Sequence, residues 1–309
     1  MTRKASFFSA LAKDFKVNKT LVFMSLILVF YYGLFHYGPM YGILVAFKDF
    51  RIARGFSGSA WAEPLTKHFR IFFESYYFKR LLVNTLSISF KSLIFGFPAP
   101  IILALLLNEV GSPSYKKIIQ TVTYMPHFIS MMVMCGILIQ FFSAQGLIND
   151  ILSIFGVQRL NYFLDSRYYQ GLYVGSGIWQ NLGWNSIIFL AAISRVNPEL
   201  YEACRIDGGN RWTLAVHVTI PRILPTIITM FILQMGQLMS IGAQKTILLY
   251  NPTTYETADI IASYVYRTGI QQSNYSFATA VGLFNNVINC ILLFGTNAAS
   301  KKLADTGLW

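Results

Sequence analysis

The sequence predicts an all-α, polytopic membrane protein with six transmembrane helices. Three observations carry that reading. Only 12% of the 309 residues are charged, while 54% are hydrophobic and 16% aromatic; a soluble domain carries about a quarter charged. The apolar residues gather into runs of about 20, enough to cross a hydrocarbon core of ~30 Å. The one long polar interruption among the later runs, residues 197–225 (NPELYEACRIDGGNRWTLAVHVTIPRILP), still reads as ordered helix. A soluble protein with an unusually large core is the alternative, and the run lengths argue against it.

The formal charge of +12 comes from basic residues dispersed among loops. Basic loops beside membrane spans account for it without nucleic acid. Cys135 and Cys290 fall in apolar runs, Cys204 lies in the polar interruption, and no Cys/His spacing resembles a metal site. His36, His68, His127 and His217 are scattered, so no metal is expected.

Residues 1–19 are basic, with Arg3, Lys4, Lys13, Lys16 and Lys19 against Asp14 alone. The run at 20–37 that follows is long, bulky and aromatic and has no small-residue cleavage site after it. It reads as a first span rather than a cleaved signal peptide. Residues 38–81 form an aromatic, mixed outer segment with Trp61, Phe72, Phe73, Tyr76, Tyr77 and Phe78, residue types that favour the membrane–water boundary. Five further spans are expected at 82–108, 119–142, 172–194, 223–243 and 276–298. The chain thus divides into a basic N-terminus (1–19), a first span with its outer segment (20–81), a transmembrane core (82–298, with the loop 197–222) and a tail (299–309).

With the N-terminus inside, the inner segments carry thirteen Lys/Arg and the longer outer segments eleven. Positive charge per residue is therefore higher inside, and Lys16 and Lys19 flank the first span. Both termini and the 197–222 loop are expected to be cytoplasmic. Outside, an amphipathic run around 148–155 ends at Gly156, and a second surface helix is expected over 257–267.

Polar groups within spans face protein or a water-filled path. Lys91 is the only charge inside an expected span; it either snorkels or faces a cavity or interface. The fourth span offers Trp179, Gln180, Asn181, Trp184 and Asn185. The fifth offers Gln234, Gln237 and Ser240 on one helical face, and the sixth Asn285, Asn286 and Asn289. Amides beside aromatic rings suit a sugar, whose hydroxyls bond amides and whose flat faces pack on rings. Interhelical hydrogen bonding uses the same residue types. Pro98, Pro100 and Pro126 are expected to kink the second and third spans.

There is no GxxxxGK[ST] phosphate loop, no HExxH and no GxSxG, and no paired carboxylates lie in the spans. No catalytic constellation stands out, so the chain is expected to be a transport subunit rather than an enzyme.

In the polar interruption, Asn197 is a good N-cap and Pro198 suits the first helical position. Glu199 and Glu202 favour the first turns, and Gly208-Gly209 permits the left-handed backbone that ends a helix. A second helix and a proline-led entry into the fifth span follow. Glu202, Ala203 and Gly208, with Pro221 at the closing position, resemble the "EAA" loop of binding-protein-dependent ABC importer permeases. Cys204, Gly209 and Ile220 depart from that pattern, and a second glycine is expected to loosen the turn. Beyond the loop, Tyr37-Gly38-Pro39-Met40-Tyr41-Gly42, Leu107-Asn108-Glu109, Tyr124-Met125-Pro126-His127-Phe128, Trp179-Gln180-Asn181-Leu182-Gly183-Trp184 and the closing Leu308-Trp309 resemble the LplB-type polysaccharide permeases, a carbohydrate importer branch. Ala243-Gln244-Lys245 departs from the Phe-Glu-Gln common at that point.

The resemblance implies a type I ABC importer permease fold in a bacterial cytoplasmic membrane. It implies a coupling loop that docks into a separate ATPase through Glu202, Ala203, Cys204, Arg205, Asp207, Gly208, Gly209 and Pro221. Expected partners are a second, homologous permease, two cytoplasmic ATPases that bind ATP and Mg, an extracytoplasmic solute-binding protein and a glycan. No cofactor is expected on this chain. Tyr124, Trp179, Asn181, Trp184, Gln234, Gln237 and Asn285 are the candidate solute-path residues. A permease of the same architecture for a non-sugar solute, or a stand-alone secondary transporter, are the alternatives.

Overall fold

The computed structural model describes residue 15 and residues 17–309. The rest of the expected basic N-terminus lies outside the described residues. The chain is helical throughout, apart from one isolated antiparallel bridge between Lys48 and Trp61 among the described residues.

The main helices, in order, are α1 (Lys19–Tyr32), α2 (Lys67–Phe73), α3 (Phe78–Lys91), α4 (Pro98–Glu109), α5 (Pro113–Tyr124), α6 (Met131–Phe141), α7 (Leu147–Ile154) and α8 (Ser166–Ile193). They continue with α9 (Pro198–Ile206), α10 (Ile220–Met235), α11 (Ala243–Leu249), α12 (Ile261–Tyr266) and α13 (Tyr275–Ala304).

Four continuous helices are long and apolar enough to cross a membrane: Lys19–Phe47, Phe78–Glu109, Arg211–Met235 and Tyr275–Ala304. A fifth arises if Pro113–Phe128 and Met131–Phe141 count as one broken span. The fourth expected span is α8. Its 28 residues reach about 42 Å at 1.5 Å per residue, but its polar residues keep it below the apolar standard the others meet. It lies at the centre, with Tyr169, Gln170, Tyr173, Ser176, Gln180 and Ser186 all buried. By contrast, no residue of α1 is buried against the other described residues.

Pro98 and Pro100 do not break the second span, which runs continuously from Phe78 to Glu109. Wider π-helical turns at Gly33–Tyr37, Ser92–Gly96 and Leu214–Thr219 each end two residues before a proline, respectively Pro39, Pro98 and Pro221. One extra residue in the turn accommodates both the ring and the missing donor, and the helix carries on.

The third expected span, 119–142, is not one helix. After Pro126 the chain turns extended at Ile129 (ψ 128°), and Ser130 caps α6, giving a bend of 101°. The Gln180 amide donates to the Ile129 carbonyl freed there (3.2 Å), and His127 Nδ1 lies 3.1 Å from Asn181 Oδ1. The fifth expected span is also displaced. Its helix runs from Arg211 and ends at Met235, and the next residue, Gly236, sits against Leu293, where a Cβ would come within 2.8 Å. The open backbone beyond is held by α13: Asn285 donates to Met239 O (3.1 Å), while Asn289 accepts from Met239 N (2.9 Å) and donates to Ser240 Oγ (2.8 Å).

Three buried clusters tie the bundle together. One joins Ile88, Met134, Tyr169, Tyr173 and Ile260; a second joins Phe72, Leu81, Met239, Ile261 and Val281; a third joins Ala104, Phe189, Ile193 and Ile223. Beyond the spans, α7 matches the expected outer amphipathic helix, with Gly156 at φ +77° behind it. The second outer helix, expected over 257–267, is interrupted: a short helix at Tyr255–Ala258 ends before Asp259, and α12 starts at Ile261 and runs on through a π turn to Gln271. Before it, fully buried Asp259 pairs with Arg267 (2.7 Å) and Arg80 (3.3 Å). At the other end of this layer, Asp49 meets Lys67 at 2.8 Å, and that hydrogen-bonded ammonium holds the carboxyl below its ordinary range.

Replacing Asn289 with Leu strands the Met239 N–H in a buried site and is expected to cost about 1–3 kcal/mol. A lowered melting temperature of the detergent-solubilised protein reads this out. Exposed Asn286, which makes no hydrogen bond within the described chain, should tolerate the same change to within about 0.5 kcal/mol.

Candidate functional site

The polar loop stands apart from the bundle: no residue of α9 is buried. Asn197 caps it, accepting from Glu199 N (3.1 Å) and donating to Glu199 Oε2 (3.0 Å). At the other end, Gly208 has φ +81°, Gly209 N donates to Cys204 O (2.8 Å) and Gly208 N to Arg205 O (3.0 Å). That pair of bonds is a Schellman C-cap, which satisfies two terminal carbonyls.

Gly209 does not loosen this turn. Its backbone lies so close to Cys204 that an added Cβ would come within 2.5 Å of Sγ and 2.7 Å of the carbonyl oxygen. The second glycine permits a tighter closure than alanine would, and half-buried Cys204 fills the space beside it.

Beyond the turn, Asn210 caps the next helix by accepting from Thr213 N (2.9 Å). From Arg211 that helix continues without a break through Pro221 to Met235. The fifth span and the second half of the loop are one rod, not a helix and a separate entry. Tyr201 OH reaches Thr219 Oγ1 (3.1 Å) and links α9 to this rod. Glu202, Ala203, Arg205 and Asp207 are exposed, and Glu202 makes no ion pair among the described residues. Arg211 approaches Glu109 at 3.9 Å across a largely exposed gap. Sequence reading missed Tyr201, and it also missed two large apolar side chains displayed on the loop, Ile206 and Trp212 (85% and 77% exposed). Their signal was present: an isoleucine and a tryptophan in a polar stretch with no partner run.

The second candidate region is a cavity of about 340 Å³ between α4, α8, α10 and α11. Of the seven candidate path residues, Asn181 and Gln234 line it. Asn181 is largely committed already, to His127 and to the Gly177 carbonyl (3.0 Å). Gln234 and Asn185 make no side-chain hydrogen bond within the described chain and are free to bind a solute. Tyr124, Trp179, Trp184, Gln237 and Asn285 do not line it. Tyr124 lies against Gly183, Trp184 stacks on His127 (4.5 Å, 3°), and Asn285 serves the backbone of residue 239. Gln237 lies past the end of α10, so it does not share a helical face with Gln234 and Ser240. The cavity also contains a residue assigned to an outer segment from the sequence, Lys245. Lys91, the charge inside the second span, is exposed and donates to Gln170 (2.6 Å) without lining the cavity. Among the described residues, no group of three or more His, Cys, Asp or Glu side chains is placed to hold a metal ion.

The model of binding-protein-dependent transport system inner membrane components matches residues 96–303, which include both the loop and the cavity. The chain belongs to this family. It is a multi-pass transport component of the inner membrane rather than an enzyme. Protein LplB of Bacillus subtilis (strain 168) is 40% identical over 305 residues, covering 98% of this chain and 94% of that one. The polygalacturonan/rhamnogalacturonan transport system permease protein YteP of the same organism is 39% identical, covering 94% and 91%. A chain of a bacterial alginate ABC transporter, solved in complex with an alginate pentasaccharide-bound periplasmic protein, superposes with a TM-score of 0.87. It is 40% identical, and the match covers 96% of this chain and 99% of that one.

Gly209→Ala is expected to open the Schellman turn, at a cost of roughly 1 kcal/mol for the bond lost. Amide exchange at Gly208 and Gly209 should quicken several-fold while the buried α8 amides are unchanged. Unaltered exchange at Gly209 would show that the turn has room for a side chain.

Proposed function

We propose that this chain is the permease subunit of an ATP-driven ABC importer that carries an oligosaccharide or polysaccharide across a bacterial cytoplasmic membrane. The observation that carries the reading is the loop. It is a short helix closed at both ends, exposed on every residue class a docking helix needs, and fused to a span that lines a cavity. A chain with no phosphate loop of its own requires such a handle for an external engine.

In this reading, α9 seats in a groove on a cytoplasmic ATPase. Ile206 and Trp212 supply apolar contact, and Glu202 and Arg205 supply charge. ATP and Mg bind on two such ATPases, whose closure draws this loop and that of a second, homologous permease together and re-orients the cavity between inward and outward access. An extracytoplasmic binding protein delivers the glycan to the outer layer formed by α2, α7, α11 and α12. The similarity to permeases for polygalacturonan and alginate supports a glycan. Six spans follow if α8 crosses the membrane and α5–α6 counts as one broken crossing; both termini then lie on one side, and the denser Lys and Arg of the inner segments favour the cytoplasm for it.

Two outcomes test this. Glu202→Ala or Gly208→Pro should leave the complex assembled in membranes but reduce solute-stimulated uptake at least tenfold relative to ATP hydrolysis. Wild-type coupling in both variants, or uptake that persists without any ATPase, overturns the lever. A membrane-impermeant amine reagent should label Lys301 and Lys302 only after the cells are opened; labelling of intact cells overturns the orientation.

A further inference from the structure

We propose that Lys245 is a specificity residue that binds an anionic group, a carboxylate, on the sugar being carried. The inference rests on the glycan reading above and adds the charge of the cargo. Lys245 is 6% exposed and lies on α11, the short helix beyond the break in the fifth span. Lys245 lines the cavity together with Gln234 and Asn185, whose side-chain amides have no partner among the described residues, and no Asp or Glu lines that cavity. The ammonium donates to one backbone oxygen, that of Tyr173 (2.7 Å), and lies 4.4 Å from the centre of the Tyr173 ring. Among the described residues, no carboxylate comes within 4.0 Å of it.

Other cations contrast with it. Half-buried Arg267 and Arg80 share Asp259. Lys48 has no carboxylate either, but it bonds two carbonyls, lies over the rings of Phe56 and Trp61, and lines none of the cavities described. Burying an ammonium is costly unless its donors are filled. Lys245 has three donors and one strong acceptor. Gly177 leaves the space directly against it open, because a Cβ there would come within 3.3 Å of Nζ. A cation with donors to spare, facing a polar cavity bare of acid, is matched by an anion that arrives with the solute. A carboxylate would form the charge-assisted bonds the chain itself does not supply. Gln234 and Asn185 would then meet sugar hydroxyls.

The test uses the whole transporter in proteoliposomes with its binding protein, and a uronic-acid trisaccharide alongside its methyl ester. These probes share a backbone and differ in charge. Because the binding protein is the same throughout, a change in the acid-to-ester uptake ratio between variants reports on this chain. Lys245→Gln keeps a donor for the Tyr173 carbonyl but loses the charge, and should lower the ratio at least tenfold. Lys245→Arg should keep it within about threefold. An unchanged ratio in Lys245→Gln overturns the role of Lys245 while leaving the glycan reading intact. Uptake of neither sugar by the wild type overturns both. If the variants fail to assemble, equilibrium binding of the two probes to the wild-type transporter without its binding protein decides: tighter binding of the acid supports the proposal, and equal binding overturns it.

Discussion

A backbone that breaks inside a membrane bundle must find partners for the groups it frees, and much of this architecture answers that requirement. The chain breaks twice at depth, near Ile129 and beyond Met235. Each break is met by amides from a neighbouring long helix: Gln180 on α8 serves the first, and Asn285 and Asn289 on α13 serve the second. These two helices, of 28 and 30 residues, are the longest among the described residues that run without π turns. They act as rails along which interrupted neighbours are repaired. Where a proline could have caused a further break, a π turn takes up the strain within the helix instead.

That requirement separates two populations of polar residues that look the same in a sequence. An asparagine in an apolar run either glues helices or meets solute, and composition does not distinguish the two. Asn285 and Asn289 are glue, and Asn181 is mostly so. Subtracting the side chains already bonded leaves a small remainder around the cavity, Ser92, Gln234 and Asn185, together with Lys245, whose ammonium has donors beyond its one bond to the Tyr173 carbonyl. The remainder matters for function because only an unsatisfied group has a donor or acceptor to offer an incoming solute.

The helical class, the helical loop and most apolar runs were legible because they rest on local signals: run length, the Asn197 cap and the Gly208 turn. What was not legible rests on distant neighbours. α10 ends where Gly236 lies against Leu293, and α12 starts after Asp259, which meets Arg80 across 179 positions. The third span hid its break, although Ser130 four residues after Pro126 is an N-cap signal that a continuous apolar run outweighed. Gly209 misled in the opposite direction. Read alone, a second glycine implies freedom, whereas beside Cys204 it implies contact too close for any side chain.

The displaced boundary changes how the loop joins the fifth span. Residues 211–222 belong to the span's own helix rather than to a separate proline-led entry. The helix is continuous from Arg211 to Met235, with a π turn at Leu214–Thr219 and Pro225 inside it, and Tyr201 fastens α9 to it. At 1.5 Å per residue, the 23 steps from Arg211 to Gln234 span about 35 Å. On the proposed reading, a load on α9 is passed along this helix to Gln234. It stops there, because the helix ends one residue later and α11 hangs from a separate backbone held by α13 and α8. The cavity wall thus has a driven side carrying Gln234 and an anchored side carrying Lys245. A solute held between them would have one set of contacts pulled from the other by the same stroke that re-orients the cavity.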